Sequence, residues 1–128
     1  AVGQPDAHAG EVPMAYVVLR DGSIASTQDL REFAGGRIPE RAAVPVRVEV
    51  IPQMPMTAVG KIFKPRLRQL AIERVCSELL QAKGIEASVA VRDDKRLGTV
   101  AVVRLVDAAD RNPATDALGR LPVAIEFE

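Results

Sequence analysis

Two stretches in the first half of the chain are rich in hydrophobic residues, and in the second of them hydrophobic and polar positions alternate with a period of two. Residues 11–20 are rich in Val, Tyr and Leu and end at an Asp-Gly-Ser turn, while residues 44–51 place Val46, Val48 and Val50 on one face. Alternation of this kind is typical of half-buried β-strands. The sequence therefore predicts a strand at each of these two positions.

A short helix is predicted between these strands. Ser26-Thr27-Gln28-Asp29 has the form of a capping box, in which the first and last side chains satisfy each other's backbone N–H groups. Leu30 and Phe33 follow at helical spacing and would form its apolar face. Gly35-Gly36 is predicted to end the helix, because glycine favours helix C-termini.

A longer helix is predicted from Pro65 to about Lys83. Proline suits the first position of a helix, where its missing N–H is not needed. Gly84 is a typical C-terminal cap, and Ile85 can supply the accompanying hydrophobic contact. Apolar residues recur through the segment at helical spacing, joined by Cys76, for which that face indicates a core role: Leu67, Leu70, Ala71, Val75, Leu79 and Leu80.

The remainder of the chain predicts strands at 85–91 and 99–106, a short helix over 112–119, and a last strand with Val123, Ile125 and Phe127 alternating. The second half thus has the order α-β-β-α-β. With the strand at 44–51 placed in front, this order is like that of a ferredoxin-type sandwich. The expected fold class is α+β, with small mixed sheets, helices packed on one face and a ferredoxin-like second half.

Composition excludes several classes of protein. The 128 residues are 48% hydrophobic but only 3% aromatic, so an aliphatic core is expected, and a net charge of zero argues against a nucleic-acid partner. The chain has no apolar run of about 18 residues, so no membrane span is expected. A single cysteine fits a cytoplasmic location. The start is unlike a signal peptide and suggests a fragment entered in mid-element.

Charge is unevenly distributed along the chain. Residues 37–68 carry seven basic side chains against Glu40 and Glu49, a balance of +5. A basic region suits an anion-rich ligand such as a nucleotide or coenzyme A, although a solvated charged face would show the same pattern. The basic residues are Arg37, Arg41, Arg47, Lys61, Lys64, Arg66 and Arg68.

The sequence does not support any of the common catalytic or metal sites. The chain has one histidine, His8, and one cysteine, Cys76, far apart in sequence, so neither a zinc cluster nor a Ser-His-acid set can be assembled, and no metal site is expected. Gly60-Lys61 is reminiscent of a phosphate-binding P-loop. That motif requires glycine where Pro55 stands and Ser or Thr where Ile62 stands, so it fails.

The segment PMTAVGKI at residues 55–62, followed by KPRLR at 64–68, resembles the closing signature of the adenylate-forming superfamily, which includes acyl-CoA synthetases, luciferases and peptide-synthetase adenylation domains. Residues 1–22 and 30–55 also resemble that family's preceding segments in order and spacing. The likeness covers about the first 68 residues and identifies them as the C-terminal domain of an AMP-forming acyl-CoA synthetase.

The resemblance implies a two-step reaction. A carboxylate attacks the α-phosphate of ATP to give an acyl-adenylate, and a thiol then displaces AMP after the small domain has rotated. The lysine of the family's GK motif acts in the first step, and Lys61 matches it by position. Gly60, Thr57 and Pro55 would support that lysine in its loop. Lys61 also has the P-x-x-x-x-G-K context in which some acyl-CoA synthetases are acetylated, so it is a candidate for acetylation.

The resemblance also implies cofactors and partners. ATP and Mg2+ would be bound mainly by a large N-terminal domain of the same enzyme, with coenzyme A as co-substrate and an acyl or aryl carboxylate as substrate. Candidate anion or coenzyme A contacts, chosen by charge alone, are Arg37, Arg41, Lys64, Arg66 and Arg68. The isolated piece is expected to be inactive, because the substrate pockets belong mainly to the large domain.

Two departures from the family leave alternatives open. The family's hinge motif is missing before Ala1, and about 60 residues follow the lysine motif where most relatives end. The domain expectation is a truncated lid at 1–68 and an α/β extension at 69–128, packed on or beside it. No carrier-protein attachment signature is present, although a carrier protein as thiol acceptor stays open. The rival interpretation is a stand-alone ferredoxin-like module that binds a small molecule or has a regulatory role.

Overall fold

A computed structural model describes residues 1–128. Contacts between residues divide the chain into two compact units. The first unit comprises Ala1–Gln4 and Val12–Arg68, and the second comprises Pro5–Glu11 and Gln69–Glu128. The chain contains three α-helices, two single-turn 3-10 helices and two three-stranded sheets. The predicted α+β class with small mixed sheets is therefore confirmed.

The first sheet has the strand order β1-β2-β3. Its strands are β1 (Val2–Asp6), β2 (Gly10–Val17) and β3 (Arg47–Val50), with β3 parallel to β2. Strands β2 and β3 confirm the two predicted positions with shorter bounds, whereas β1 was not predicted. Only Val48 of the three alternating valines is buried, since Val46 and Val50 are both exposed.

Helix α1 (Thr27–Arg37) begins with the predicted capping box. The Ser26 hydroxyl accepts the N–H of Asp29, and the Asp29 carboxylate accepts the N–H of Ser26, both at 3.1 Å. The prediction that the glycine pair ends the helix is wrong, because α1 continues through both glycines to Arg37. The helix stops at Ile38, which precedes a proline and is extended, as residues before proline usually are.

Helix α2 (Lys64–Ala82) begins one residue before the predicted proline. Its C-terminus confirms the predicted glycine cap, with Gly84 at φ +69°. The N–H of Ile85 donates to the carbonyl of Leu80 at 3.0 Å, and the N–H of Gly84 donates to that of Gln81 at 2.9 Å, which together form a Schellman motif. Buried Ile85 supplies the hydrophobic contact that accompanies this motif.

The second sheet has the order β4-β5-β6 and follows the predicted α-β-β-α-β sequence of elements. Strand β4 (Ala87–Asp94) is antiparallel to β5 (Gly98–Leu105), and β6 (Ala124–Phe127) is parallel to β5. Helix α3 (Arg111–Leu118) lies between β5 and β6 in sequence. Strand β3 pairs in the first sheet instead, so this sheet has three strands.

The core of the second unit lies on one face of its sheet, as predicted. Residues of α2 and α3 pack there against alternate residues of the strands, and Cys76 is completely buried among them. The buried members of this core are Ile72, Val75, Cys76, Leu80, Ile85, Ala101, Val103, Ala114, Leu118 and Leu121. The other face exposes Arg92, Arg104 and Glu126, and carries an ion pair between Arg92 and Glu126.

Candidate functional site

The segment around Lys61 forms a small hairpin. Met56 and Ile62 pair in an antiparallel bridge, and the N–H of Thr57 donates to the carbonyl of Lys61 at 2.7 Å. At the base of the hairpin, the N–H of Phe63 donates to the carbonyl of Pro55 at 2.8 Å. The lysine therefore stands at a defined place in a hydrogen-bonded loop.

Gly60 and Thr57 shape the tip of this hairpin. Gly60 has φ +82°, and its N–H donates to the carbonyl of Thr57 at 3.0 Å. A turn that ends in a left-handed glycine is a common way to close a short hairpin. The hydroxyl of Thr57 accepts the N–H of Lys61 at 3.1 Å. Thr57 therefore makes three hydrogen bonds within the loop, through its N–H, its carbonyl and its side chain.

The side chain of Lys61 is exposed, and residues close to it in sequence expose apolar side chains. Val59 is 81% exposed, and its neighbours Met56, Ile62 and Phe63 are exposed as well. Sequence analysis did not identify these apolar residues as part of the site. A signal was present in the sequence, because these large hydrophobic residues follow neither helical nor strand periodicity. A loop that faces only water does not need such residues.

Exposed apolar side chains are concentrated in the first unit. Of the eleven large hydrophobic residues that are exposed, two, Leu97 and Val106, lie in the second unit. Where such residues form a large contiguous patch, they mark an interaction site. The nine in the first unit are Val18, Ile24, Phe33, Val46, Val50, Met56, Val59, Ile62 and Phe63.

The five basic candidates all belong to the first unit and are all exposed. Lys64, Arg66 and Arg68 lie in the first turns of α2, directly after the lysine hairpin. The first turn of α2 contains no acidic residue, so the positive end of its dipole adds to these charges. Arg37 ends α1 with its guanidinium 4.9 Å from the ring centre of Phe33, and Arg41 begins a 3-10 turn.

The second unit contains two open hollows. One, of about 520 Å³, is lined by residues including Gln81, Glu86 and Arg104, and another, of about 450 Å³, by residues including Lys83 and Asp116. The chain has no buried polar or charged residue and no group of three or more His, Cys, Asp or Glu side chains that could hold a metal ion. None of its helices is both long and apolar enough to cross a membrane.

A family model describes the part of the chain that contains the hairpin. Residues 1–61 match the AMP-binding enzyme C-terminal domain, and the match extends through Gly60 to Lys61. This part of the chain therefore belongs to that family, and the resemblance to the C-terminal domain of an AMP-forming acyl-CoA synthetase is confirmed.

Several relatives with this similarity are named as CoA ligases or acyl-CoA synthetases. Marinolic acid–CoA ligase of Pseudoalteromonas sp. (strain SANK 73390) is 37% identical over 116 residues, which cover 89% of this chain and 18% of that protein. The putative acyl-CoA synthetase YngI of Bacillus subtilis (strain 168) is 42% identical over 72 residues, or 56% of this chain and 13% of that protein. The chain thus spans less than a fifth of either relative. No solved structure matches it significantly.

The lengths of these matches differ in an informative way. The match to YngI covers 56% of the chain, whereas the match to marinolic acid–CoA ligase covers 89% and must extend well beyond Arg68. Residues after the lysine hairpin therefore share sequence with at least one CoA ligase. The similarity to that ligase therefore includes much of the second half of the chain.

Proposed function

We propose that this chain supplies the mobile C-terminal domain of an ATP-dependent, AMP-forming carboxylate–CoA ligase, in which Lys61 acts in the adenylation step. The observation that carries the proposal is the hairpin itself. An exposed lysine follows a left-handed glycine at the end of the segment that matches the family model.

The chemistry of adenylation explains why a lysine is useful there. The reaction brings an anionic carboxylate to an anionic phosphate, and negative charge develops between them in the transition state. A compact ammonium group with three donors can contact both partners and stabilise that charge. Lys61 would approach the reacting oxygens on a flexible stem and needs no proton transfer for this role.

The backbone of the hairpin supports this role by holding the base of the side chain. Both the N–H and the carbonyl of Lys61 are hydrogen-bonded to Thr57. A preorganised backbone reduces the entropy lost when the ammonium group reaches its target. Thr57 and Gly60 are therefore positioning residues, and Pro55 closes the base of the loop through its carbonyl.

The exposed apolar residues beside the lysine support a large N-terminal domain as the partner. Met56, Val59, Ile62 and Phe63 would be removed from water when that domain receives the hairpin. Delivery and withdrawal of the lysine by domain motion would separate adenylation from thioester formation. ATP and its Mg2+ would be held mainly by the large domain, and an acyl or aryl carboxylate would be the substrate.

Basic side chains next to the hairpin are our candidates for contacts to the phosphates of coenzyme A. Lys64, Arg66 and Arg68 begin α2, where a positive helix terminus favours bound anions. Arg37 and Arg41 are further candidates by charge. The isolated chain should form no acyl-adenylate, and we expect the complete enzyme in the cytoplasm.

Half-reactions of a complete ligase that carries this domain test the proposal. Lys61→Ala should lower acyl-adenylate formation by about 10²–10³-fold, the usual effect of losing one preorganised donor. Thioester formation from pre-made acyl-adenylate and coenzyme A should survive. Lys83→Ala, which removes an exposed lysine of the second unit, is the matched control. Unchanged adenylation in Lys61→Ala would show that this lysine is only a loop residue.

Acetylation of Lys61 is a proposed means of regulation of the same step. The exposed ammonium group is accessible to a modifying enzyme, and acetylation removes the charge on which adenylation would depend. Site-specific incorporation of acetyl-lysine at position 61 should reduce adenylation as much as alanine does, and deacetylation should restore it. Full adenylation by the acetylated enzyme would refute the regulation.

A further inference from the structure

Val59 is the residue of the lysine hairpin that the backbone structure leaves unexplained. It occupies a central position of the turn from Thr57 to Gly60, which is closed by a hydrogen bond from the Gly60 N–H to the Thr57 carbonyl. Turn centres are usually occupied by Gly, Pro, Asn, Asp or Ser, whose conformations or side-chain hydrogen bonds suit a turn. Valine offers neither property, and its branched side chain favours strands. The turn itself therefore gives no reason for a valine here.

Packing within the chain does not explain Val59 either. Its side chain is 81% exposed, so folding removes only a small part of its apolar surface from water. Single exposed apolar residues are normal on a protein surface. Here, however, four of the chain's eleven exposed large hydrophobic residues fall within positions 56–63, and two of them, Met56 and Ile62, are opposed across the hairpin. This concentration favours a surface that is covered when the hairpin is in use.

The hydrogen bonds of the loop tie the position of Val59 to that of Lys61. The N–H and the carbonyl of Lys61 are both bonded to Thr57, and the N–H of Gly60, between the two residues, is bonded to Thr57 as well. Residues two positions apart have Cα atoms at most about 7 Å apart. In the adenylation role proposed above, Lys61 enters the site where the carboxylate and ATP react. Val59 must then enter or border the same site.

We propose that Val59 shields the acyl-adenylate from water while the hairpin is inserted, a role that rests on the proposed function of Lys61. The acyl-adenylate is a mixed anhydride of a carboxylic acid and a phosphate. When water attacks its acyl carbon, the bond to the phosphate oxygen of AMP breaks, carboxylate and AMP are released, and both protons of the water pass to solvent. The ammonium group of Lys61 is strongly hydrated, whereas an apolar side chain next to it binds no water. Lys61 thus supplies charge, and Val59 excludes solvent.

Replacement of Val59 by threonine tests this role with little change of shape. Threonine keeps the branch at Cβ and exchanges one methyl group for a hydroxyl, which binds water and is costly to bury. The assay uses a complete ligase that carries this domain, with ATP and carboxylate but no coenzyme A. Pyrophosphate release then reports formation of the acyl-adenylate, and AMP release reports its hydrolysis. In Val59→Thr, AMP release should become about tenfold faster, while pyrophosphate release should stay within about twofold of wild type because Lys61 and its hydrogen bonds are retained.

Two further variants make the comparison specific. Val106→Thr is the matched control, because Val106 is 74% exposed in the second unit and the same chemical exchange is made there far from Lys61 in sequence. Both rates should stay at the wild-type level in this control. Val59→Ile keeps a branched apolar side chain and should keep the wild-type rate of AMP release.

Lys61→Ala, measured in the same assay, separates failure of this inference from failure of the proposed function. If Lys61→Ala forms acyl-adenylate as fast as wild type, the proposed function fails and the shielding role fails with it. If Lys61→Ala blocks adenylation but Val59→Thr releases AMP at the wild-type rate, only the shielding role is refuted. Equal acceleration of AMP release in Val59→Thr and Val106→Thr refutes it as well, and so does slower adenylation in Val59→Thr without faster hydrolysis.

Discussion

The buried thiol of Cys76 should make the stability of this protein depend on alkaline pH. Its side chain is 0% exposed in the core of the second unit, and burial raises its pKa from the ordinary 9.0 to about 11. The unfolded chain exposes the same thiol to water and returns its pKa to the ordinary value. Between these two pH values the native state keeps a proton that the unfolded state loses.

The sign and size of the effect follow from this difference. Since the unfolded state binds fewer protons there, the free energy of unfolding falls as pH rises. The contribution of the thiol is fully present below pH 9.0 and is lost as pH approaches about 11. At pH 10.5 the loss is about 2 kcal/mol, and the largest possible loss is about 3 kcal/mol.

Urea unfolding at pH 8 and pH 10.5, for wild type and Cys76→Ala, measures this loss. Alanine also leaves a small cavity, but that cost is the same at both pH values and cancels in the difference. All other titrating groups are shared by the two proteins. Wild type should therefore lose about 2 kcal/mol more than the variant. Equal losses would show that the thiol ionises in the native state, and the reasoning from burial would fail.

Two further predictions concern local backbone features and are measured by amide hydrogen exchange. In Gly60→Ala the added methyl group would meet no atom within 4 Å, so the substitution costs only the strain of a left-handed backbone in a residue other than glycine, about 1–2 kcal/mol. Hydrogen exchange at the Lys61 and Phe63 amides should therefore become about 5- to 30-fold faster. In Gly36→Ala the added methyl group also meets open space, but this residue lies in a helix, where alanine is favoured over glycine, so α1 should be stabilised by about 0.5–1 kcal/mol. If both glycine substitutions changed stability in the same direction, the argument from backbone conformation would be contradicted. Ser26→Ala removes the acceptor of the Asp29 N–H and should weaken α1 by about 1 kcal/mol. Thr27→Ala is its control, and an equal effect there would show that the cap contributes nothing.

Local chemistry was accessible from the sequence wherever a few neighbouring residues decide the outcome. The capping box at Ser26, the glycine cap after α2 and the apolar stripe that buries Cys76 depend on contacts within one or two helical turns. The loop that carries Lys61 could be singled out only through its resemblance to a family, because a glycine and a lysine in a loop have no periodicity. That resemblance identified Lys61 but gave none of the hydrogen bonds made by Thr57.

Other features depend on residues far apart in sequence. The glycine pair of α1 has weak helix propensity, yet the helix continues until a proline forbids its next turn. Strand β1 carries no alternating apolar pattern and exists because β2 is available to pair with it. The pairing of β3 with β2, and not with the second sheet, likewise cannot be found from the alternation of its valines, since period-two patterns identify strands without naming partners.

The sequence alone determined the helices, most strands and the core of the second unit, because these follow from short-range periodicity and capping. It indicated Lys61 through a family resemblance. The tertiary structure decided which strands share a sheet and which apolar residues stay exposed beside Lys61. Those outcomes depend on which distant segments meet, and one linear pattern of hydrophobic and polar positions is compatible with several such pairings.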